Sequence, residues 1–171
     1  VLQSVGVEKT SVVGVSMGGM IAQYLAIDFP EFVENLVLAV TLARPNDTVK
    51  ERCETWIKSA EEKDYQAIMK DSALYSYSDE YLHKNKMMLN LVSKIGAPKS
   101  FDRFITFSKA CTTHNAYEKL EKITCPTLVI GGMQDKIVTY EASEEIASKI
   151  PNAKLKTYEK FGHAAYEEGK D

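Results

Sequence analysis

Residues 11–20, SVVGVSMGGM, set a β-branched run against a serine flanked by glycines and then pass into apolar residues at helical spacing. Met17, Ile21, Tyr24 and Leu25 recur near the 3.6-residue period until Pro30 forbids continuation, so the segment reads as strand, sharp turn at Ser16, helix. Gly14-Val15-Ser16-Met17-Gly18 is therefore a G-x-S-x-G sequence in the strand–turn–helix setting that gives the motif its meaning. The spacing has a mechanical reason. A serine on so sharp a turn is forced into a strained backbone region, and bulk two residues to either side would prevent the turn from closing. Gly14 and Gly18 are expected to meet that requirement. The turn then presents the Ser16 hydroxyl at the carboxyl end of a sheet, with the Met17 amide at a helix N-terminus facing any oxyanion that develops there.

Working outward, NLVLAV (35–40) is a continuous apolar run, the pattern of a parallel strand covered on both faces. From about Arg44 to Lys122 no strand pattern occurs. Trp56, Ile57, Ile68, Met69, Met87, Met88, Leu91, Phe104 and Phe107 lie among charges at spacings that suit short helices. PTLVIGG (126–132) reads as a third strand. In EASEEIASKI (141–150), Ala142, Ile146 and Ile150 share one helical face, and acidic residues occupy the first turn, where the helix dipole favours them. KLKTY (154–158) reads as a fourth strand. Strands separated by helices predict an α/β fold, a mostly parallel sheet with flanking helices and right-handed crossovers, interrupted by a helical insertion. The expected division is 1–43, 44–122 and 123–171.

Composition narrows the function classes. With 44% hydrophobic and 26% charged residues and a net charge of −3, the 171-residue chain has the balance of a globular domain. Basic residues are interleaved with acidic ones, which argues against nucleic acid as a partner. No apolar run approaches the roughly 18 residues of a membrane span, and no secretory signal pattern occurs, so the expectation is no membrane and a cytoplasmic location. Cys53, Cys111 and Cys125 are odd in number and show neither CxxC nor Cys/His spacing; reduced structural thiols are expected, with no metal site. The chain starts at Val1, reaches a strand almost at once and stops in the charged stretch YEEGKD, the pattern expected of part of a longer protein.

A serine nucleophile needs a base, and the base needs an orienting carboxylate. Of the three histidines, His83 and His114 fall among polar neighbours of the insertion and are expected on the surface. His163, in FGHAAYE, follows the fourth strand as Ser16 follows the first. Asp135, in GGMQDKIV, follows the third strand directly. Ser, then Asp, then His is the chain order that goes with this elbow, each residue after a different strand on one edge of the sheet.

With these residues in hand, the chain resembles the α/β-hydrolase superfamily. VVGVSMGGMIAQYLAIDFPEFVENLVLAV is similar to its nucleophile elbow, following helix and next strand, TLVIGGMQDKIV to its acid strand and loop, and KFGHAAYEE to its histidine loop. SMGGMIAQ is most similar to the 3-oxoadipate enol-lactonase and cofactor-free esterase or perhydrolase group. The resemblance implies a catalytic triad of Ser16, Asp135 and His163, the Met17 amide as one oxyanion donor, no cofactor, and a variable helical cap over residues 44–122. It also implies strands before the elbow strand and a second oxyanion amide from a loop between them, neither of which this sequence shows. Removing one oxyanion donor typically costs on the order of 10² to 10³ in rate.

The expected activity is hydrolysis of a small, mainly apolar ester, thioester or lactone through an acyl-enzyme. The alternatives are carbon–carbon bond hydrolysis or perhydrolysis with the same triad, and a ligand-binding receptor of slow turnover. Trp56, Met69, Met87, Met88, Phe104 and Phe107 are candidates to line the pocket roof, whose apolar character favours uncharged substrates. Arg44 and Arg103 are expected in surface salt bridges. The partner is expected to be a small-molecule substrate. The strand at 11–15 has no lysine, proline or bulge to protect it, so pairing with a second copy as a homodimer, or cover from a longer chain, is expected there.

Overall fold

The computed structural model describes residues 3–169. Four strands, β1 (Thr10–Val15), β2 (Val33–Ala39), β3 (Thr127–Gly132) and β4 (Ala153–Tyr158), form one sheet in the order β1-β2-β3-β4. Every neighbouring pair is parallel, in a register that sets Val15 beside Ala39, Ala39 beside Ile130 and Gly132 beside Tyr158. The carboxyl ends of all four strands therefore lie along one edge, which is where parallel α/β sheets carry their sites.

Helix α1 (Met17–Asp28) crosses from β1 to β2, and α6 (Tyr140–Lys149) from β3 to β4. Between β2 and β3 the chain makes four helices, α2 (Asp47–Glu61), α3 (Tyr65–Ser76), α4 (Asp79–Val92) and α5 (Asp102–Thr113), and α7 (Ala165–Glu168) follows β4. The sequence dictates several of these boundaries. Asn46, Asp64 and Ser78 each precede a helix, and their side chains accept from the amides of Val49, Ala67 and Tyr81, so each satisfies a donor the helix itself cannot. Phe29-Pro30 ends α1, as the missing proline donor demands.

The main core lies on one face of the sheet. Ala22, Ala26 and Ile27 of α1, Leu36 and Leu38 of β2, Val129 of β3, Ile146 of α6, and Leu120 and Ile123 before β3 pack together. Alternation along the strands carries Val12, Leu36, Leu38 and Val129 into this layer and turns Val13, Val37 and Leu128 the other way. The run at 35–40 was expected to be covered on both faces. Among the described residues, the second face is covered only near the carboxyl edge, where Ala165 and Phe161 pack on Ala39, Val40 and Ile130. Val13 is 68% exposed, and among the described strands β1 is paired along one side only.

His114 corrects the expectation of a surface histidine. It is the C-cap of α5 and is buried under α1, its Nε2–H donating to Gln23 Oε1 at 3.3 Å and its ring meeting Tyr24 edge-on. Gln23 is itself fully buried and donates to the Leu42 carbonyl, so a polar chain replaces solvent around the imidazole. His83 is exposed on α4. Among the described residues, no helix is long and apolar enough to cross a membrane.

Burial lowers the His114 pKa from its ordinary value of 6.5, so the folded state holds the ring neutral while the unfolded chain takes up a proton near that pH. Stability due to this group is complete above about pH 6.5 and is lost as the pH falls below it. His114→Gln keeps a donor for Gln23 and does not titrate, so its loss of Tm between pH 7.5 and 5.5 is expected to be smaller than that of the parent chain. An equal loss in both would show that His114 does not carry this dependence.

Candidate active site

Ser16 sits at φ 52°, ψ −121°, the strained conformation that the turn was expected to impose. For a residue with a side chain this costs on the order of 1–3 kcal/mol, so the surroundings must hold it. They do so through β2. The Ser16 amide donates to the Ala39 carbonyl at 2.9 Å, and Thr41 Oγ1 donates to the Ser16 carbonyl at 2.7 Å. Gly14 is needed as expected: a Cβ there would sit 2.6 Å from the Gly18 carbonyl and 2.7 Å from Gly19 Cα. Gly18 is not needed in the same way, because a Cβ on it meets nothing within 4 Å among the described residues. The second steric demand falls on Gly19, where a Cβ would lie 2.6 to 2.7 Å from the Thr41 side chain. Helix α1 therefore closes on the end of β2 through the second glycine of the pair.

His163 and Asp135 arrive from the same edge. Asp135 follows β3, and its side chain is almost wholly buried. Oδ1 accepts from the amides of Ile137 and Val138 at 2.8 and 3.0 Å, and Oδ2 accepts from His163 Nδ1 at 2.8 Å. With Nδ1 donating to the carboxylate, Nε2 is left to accept from the Ser16 hydroxyl, also at 2.8 Å. Ser16, His163 and Asp135 thus form one hydrogen-bonded row, 147 and 28 residues apart in sequence. The two amides hold the carboxylate rotamer, and the carboxylate holds the imidazole tautomer. At the start of α1 the Gly19 amide donates to the Ser16 carbonyl at 2.9 Å, while the Met17 and Gly18 amides precede the first intrahelical bond, at the positive end of the helix that begins directly after Ser16.

The loop that carries His163 is moored on two sides. Over the end of β3, Gln134 N donates to the Phe161 carbonyl at 3.0 Å, and Gly132 lets the loop pass so closely that a Cβ on it would lie 2.4 Å from the Gly162 carbonyl. Toward the α3–α4 junction, Ala164 N donates to the Ser76 carbonyl at 2.8 Å, and Glu168 accepts from Gly162 N, Ser78 N and Ser78 Oγ. Tyr77 donates its hydroxyl to Glu167. Nothing in the sequence marked Thr41, Gly132, Ser78 or Glu168. Each acts through a contact between distant segments, and only the glycine pairs 18–19 and 131–132 hint at close backbone approach.

A cavity of about 400 Å³ opens beside His163 and is lined by Met69, Tyr77, Tyr81, Met88 and Tyr166 among others. Tyr77 and Tyr81 are stacked in it, ring centroids 4.4 Å apart. Met69 and Met88 thus stand where a pocket roof was expected. Met87 does not, being 88% exposed: successive helical residues point about 100° apart, so Met88, 45% exposed, reaches the cavity rim while Met87 points to solvent. Trp56 also lies outside this cavity. It packs in an apolar cluster with Met17 and Met20 of α1, and its Nε1–H donates to Asp71 at 2.7 Å. Phe104 and Phe107 lie on α5, outside the cavity as well, and Phe107 is 46% exposed. Arg44 pairs with Glu145 at the surface, as expected, and Arg103 is exposed.

Comparison with known proteins agrees with this fold. The model of the alpha/beta hydrolase fold family matches residues 1–170, and the chain belongs to that family. RutD of Caulobacter sp. (strain K31), named as a carbamate hydrolase, is 28% identical over 164 residues, covering 95% of this chain and 61% of RutD. Among solved structures, MGS-M2, an alpha/beta hydrolase enzyme from a Medee basin deep-sea metagenome library, superposes with a TM-score of 0.87 at 25% identity over 98% of this chain and 62% of its own. The enol-lactonase from Burkholderia xenovorans LB400 superposes with a TM-score of 0.85 at 18% identity over 98% of this chain and 64% of its own. The chain thus spans somewhat over three fifths of the length of each.

The contacts at the elbow order the glycines by their need. Gly14→Ala and Gly19→Ala are expected to lower the Tm clearly, since backbone or a packed threonine must shift to admit the methyl. Gly18→Ala, in helical backbone with open space, is expected to leave it unchanged or raise it, by about 0.4–1 kcal/mol in stability. Thermal melts followed by circular dichroism check the order, and a Gly18→Ala protein as unstable as the other two would refute it.

Proposed function

We propose that the protein is a serine hydrolase in which Ser16 is the nucleophile, His163 the general base and acid, and Asp135 the group that orients and stabilises the imidazole. One observation carries this reading: the unbroken row from Ser16 Oγ through His163 to a buried, twice amide-bonded carboxylate, each link of the relay 2.8 Å long. A serine alkoxide is inaccessible at neutral pH, and an imidazole at hydrogen-bond distance removes the proton as the hydroxyl attacks. The carbonyl oxygen then becomes an oxyanion facing the Met17 amide at the positive end of α1. His163 returns the proton to the leaving group, and water, activated by the same base, resolves the acyl-enzyme. Helices α2 to α5 serve as the cap. A second oxyanion amide is expected from the part of the fold that the relatives carry and this chain does not span.

The cavity beside His163 supports a substrate class. Methionine and tyrosine side chains make up much of its lining, with Glu167 as a charged member, so a small, mainly apolar ester, thioester or lactone fits better than an anion. The names of the relatives, a carbamate hydrolase and an enol-lactonase, describe the same chemical step, attack at an acyl carbonyl followed by water.

Hydrolysis of p-nitrophenyl butyrate by the full-length protein tests this. Ser16→Ala is expected to cut kcat by on the order of 10³ or more with an unchanged melting curve, and to abolish labelling by a fluorophosphonate. His163→Ala is expected to do the same, whereas His83→Ala retains activity. Near wild-type turnover by Ser16→Ala would remove the proposed mechanism.

A further inference from the structure

Glu167 borders the cavity beside His163, and among the described residues no lysine or arginine does. Tyr77 donates its hydroxyl to Glu167 Oε2, which fixes the carboxylate without supplying a countercharge. No lysine or arginine of the described residues forms an ion pair with it. Three tyrosine rings, those of Tyr77, Tyr81 and Tyr166, line the same space. Elsewhere in the protein Tyr24, Tyr75, Tyr117 and Tyr158 each have a lysine or arginine over the ring, 4.0 to 5.4 Å from the centroid. The three rings of the cavity have none among the described residues. Lys70 and Lys86 line a different groove, which shares only Met69, Ala73 and Leu89 with this cavity. Electron-rich rings and a carboxylate thus border one space beside the serine–histidine row, and the described residues place no lysine or arginine in it.

We propose that this cavity is a subsite for a quaternary ammonium group at the far end of an ester's acyl chain, the cation lying among Glu167 and the tyrosines and the carbonyl at Ser16. This narrows the substrate class of the serine-hydrolase reading above and rests on it. The lining selects the kind of cation. A metal ion or a primary ammonium needs several hydrogen-bond or ligand oxygens in exchange for its water, whereas Met69, Leu89 and Val92 make up much of the remaining wall. A trimethylammonium group donates no hydrogen bond, spreads its charge over methyl groups and packs against aromatic rings and apolar side chains alike. An acyl chain ending in a carboxylate would lie beside Glu167 and be repelled. Glu167 and His163 border the same cavity, so a chain of a few methylenes spans from the reacting carbonyl to the cation. The chemistry is that of the hydrolysis already described. Ser16 Oγ bonds to the acyl carbon, the ester C–O bond breaks, and His163 passes the serine proton to the departing oxygen; water then releases the acid with its ammonium intact.

Matched p-nitrophenyl esters test this with the full-length protein, spontaneous hydrolysis being subtracted. One carries γ-trimethylammonio-butyrate, one the neutral isostere with tert-butyl in place of trimethylammonium, and one is the glutarate half-ester, which ends in a carboxylate. The cationic ester is expected to exceed its isostere about tenfold in kcat/KM, and the half-ester to be the poorest of the set. Glu167→Gln keeps an acceptor for Tyr77 and removes the charge, so the ratio of cationic to neutral ester is expected to fall by about threefold or more. Tyr81→Leu is expected to lower it as well. Because the ratio compares two esters in one protein, it reads recognition of charge whatever a variant does to turnover. A ratio near unity in the wild-type protein, or an unaltered ratio in folded Glu167→Gln, would overturn the proposal, and the wild-type ratio decides it even if a variant fails to fold. Turnover that survives Ser16→Ala, or none of any ester, would count instead against the serine-hydrolase reading. Tetramethylammonium then decides the subsite alone. A rise in Tm above that given by sodium chloride of equal strength, lost in Glu167→Gln, supports it, and no such rise overturns it.

Discussion

The site depends first on one strained residue. Ser16 occupies a backbone region that disfavours any side chain, and it stays there because its amide is bonded to Ala39 at the end of β2 and its carbonyl to Thr41 just beyond it. Strand β2 can hold it only if α1 lies close enough for Gly19 to rest on Thr41, and α1 comes that close only because Gly14 leaves room for Gly18 and Gly19. The strain, the two glycines and the threonine are a single arrangement. Its product is a hydroxyl at the carboxyl edge of the sheet and the amino end of a helix, where the positive end of the helix dipole lies.

The sheet does the rest by register. Parallel pairing with Val15, Ala39 and Ile130 abreast, and Gly132 beside Tyr158, brings three chain segments to one line. Short loops then suffice to bring Asp135 and His163 to the serine. The acid loop folds back on itself through the amides of Ile137 and Val138, and the same two residues pack as apolar members of the cluster that contains Met20 and Cys53. One turn therefore satisfies a buried carboxylate on its polar side and closes a core on its apolar side.

What the sequence made legible divides along the same line. The four strands, the helices between them and the residues of the Ser16–His163–Asp135 hydrogen-bonded row could be read because each depends on a local signal: an apolar run, a helical period, a proline stop, a glycine beside a serine, and chain order. What escaped depends on distant segments meeting. His114 reads as a surface residue until α1 is laid over it, with Gln23 supplying an acceptor. Gly18 reads as the permissive glycine because the motif names it, yet the neighbour that forbids a side chain is Thr41, and it stands opposite Gly19. Met87 and Met88 cannot be told apart by composition, only by which side of α4 the rest of the fold occupies.

The histidine loop is tied to the helical layer as well as to the sheet. Ser78 is at once the N-cap of α4, through Tyr81 N, and a partner of the Glu168 carboxylate, which also holds Gly162 N next to His163. Tyr77, stacked on Tyr81 in the cavity, donates to Glu167 of the same short helix, and Ala164 N donates to the Ser76 carbonyl. Displacing the α3–α4 junction therefore breaks several bonds to residues 162–168 together, and the backbone beside His163 loses its support on that side. On the opposite side Gly132 and Gln134 keep the loop against β3. The imidazole is thus placed by two supports of different kinds, a rigid sheet end and the helical layer that lines the cavity. Ser78 and Glu168 thus join the layer that lines the cavity to the backbone beside His163.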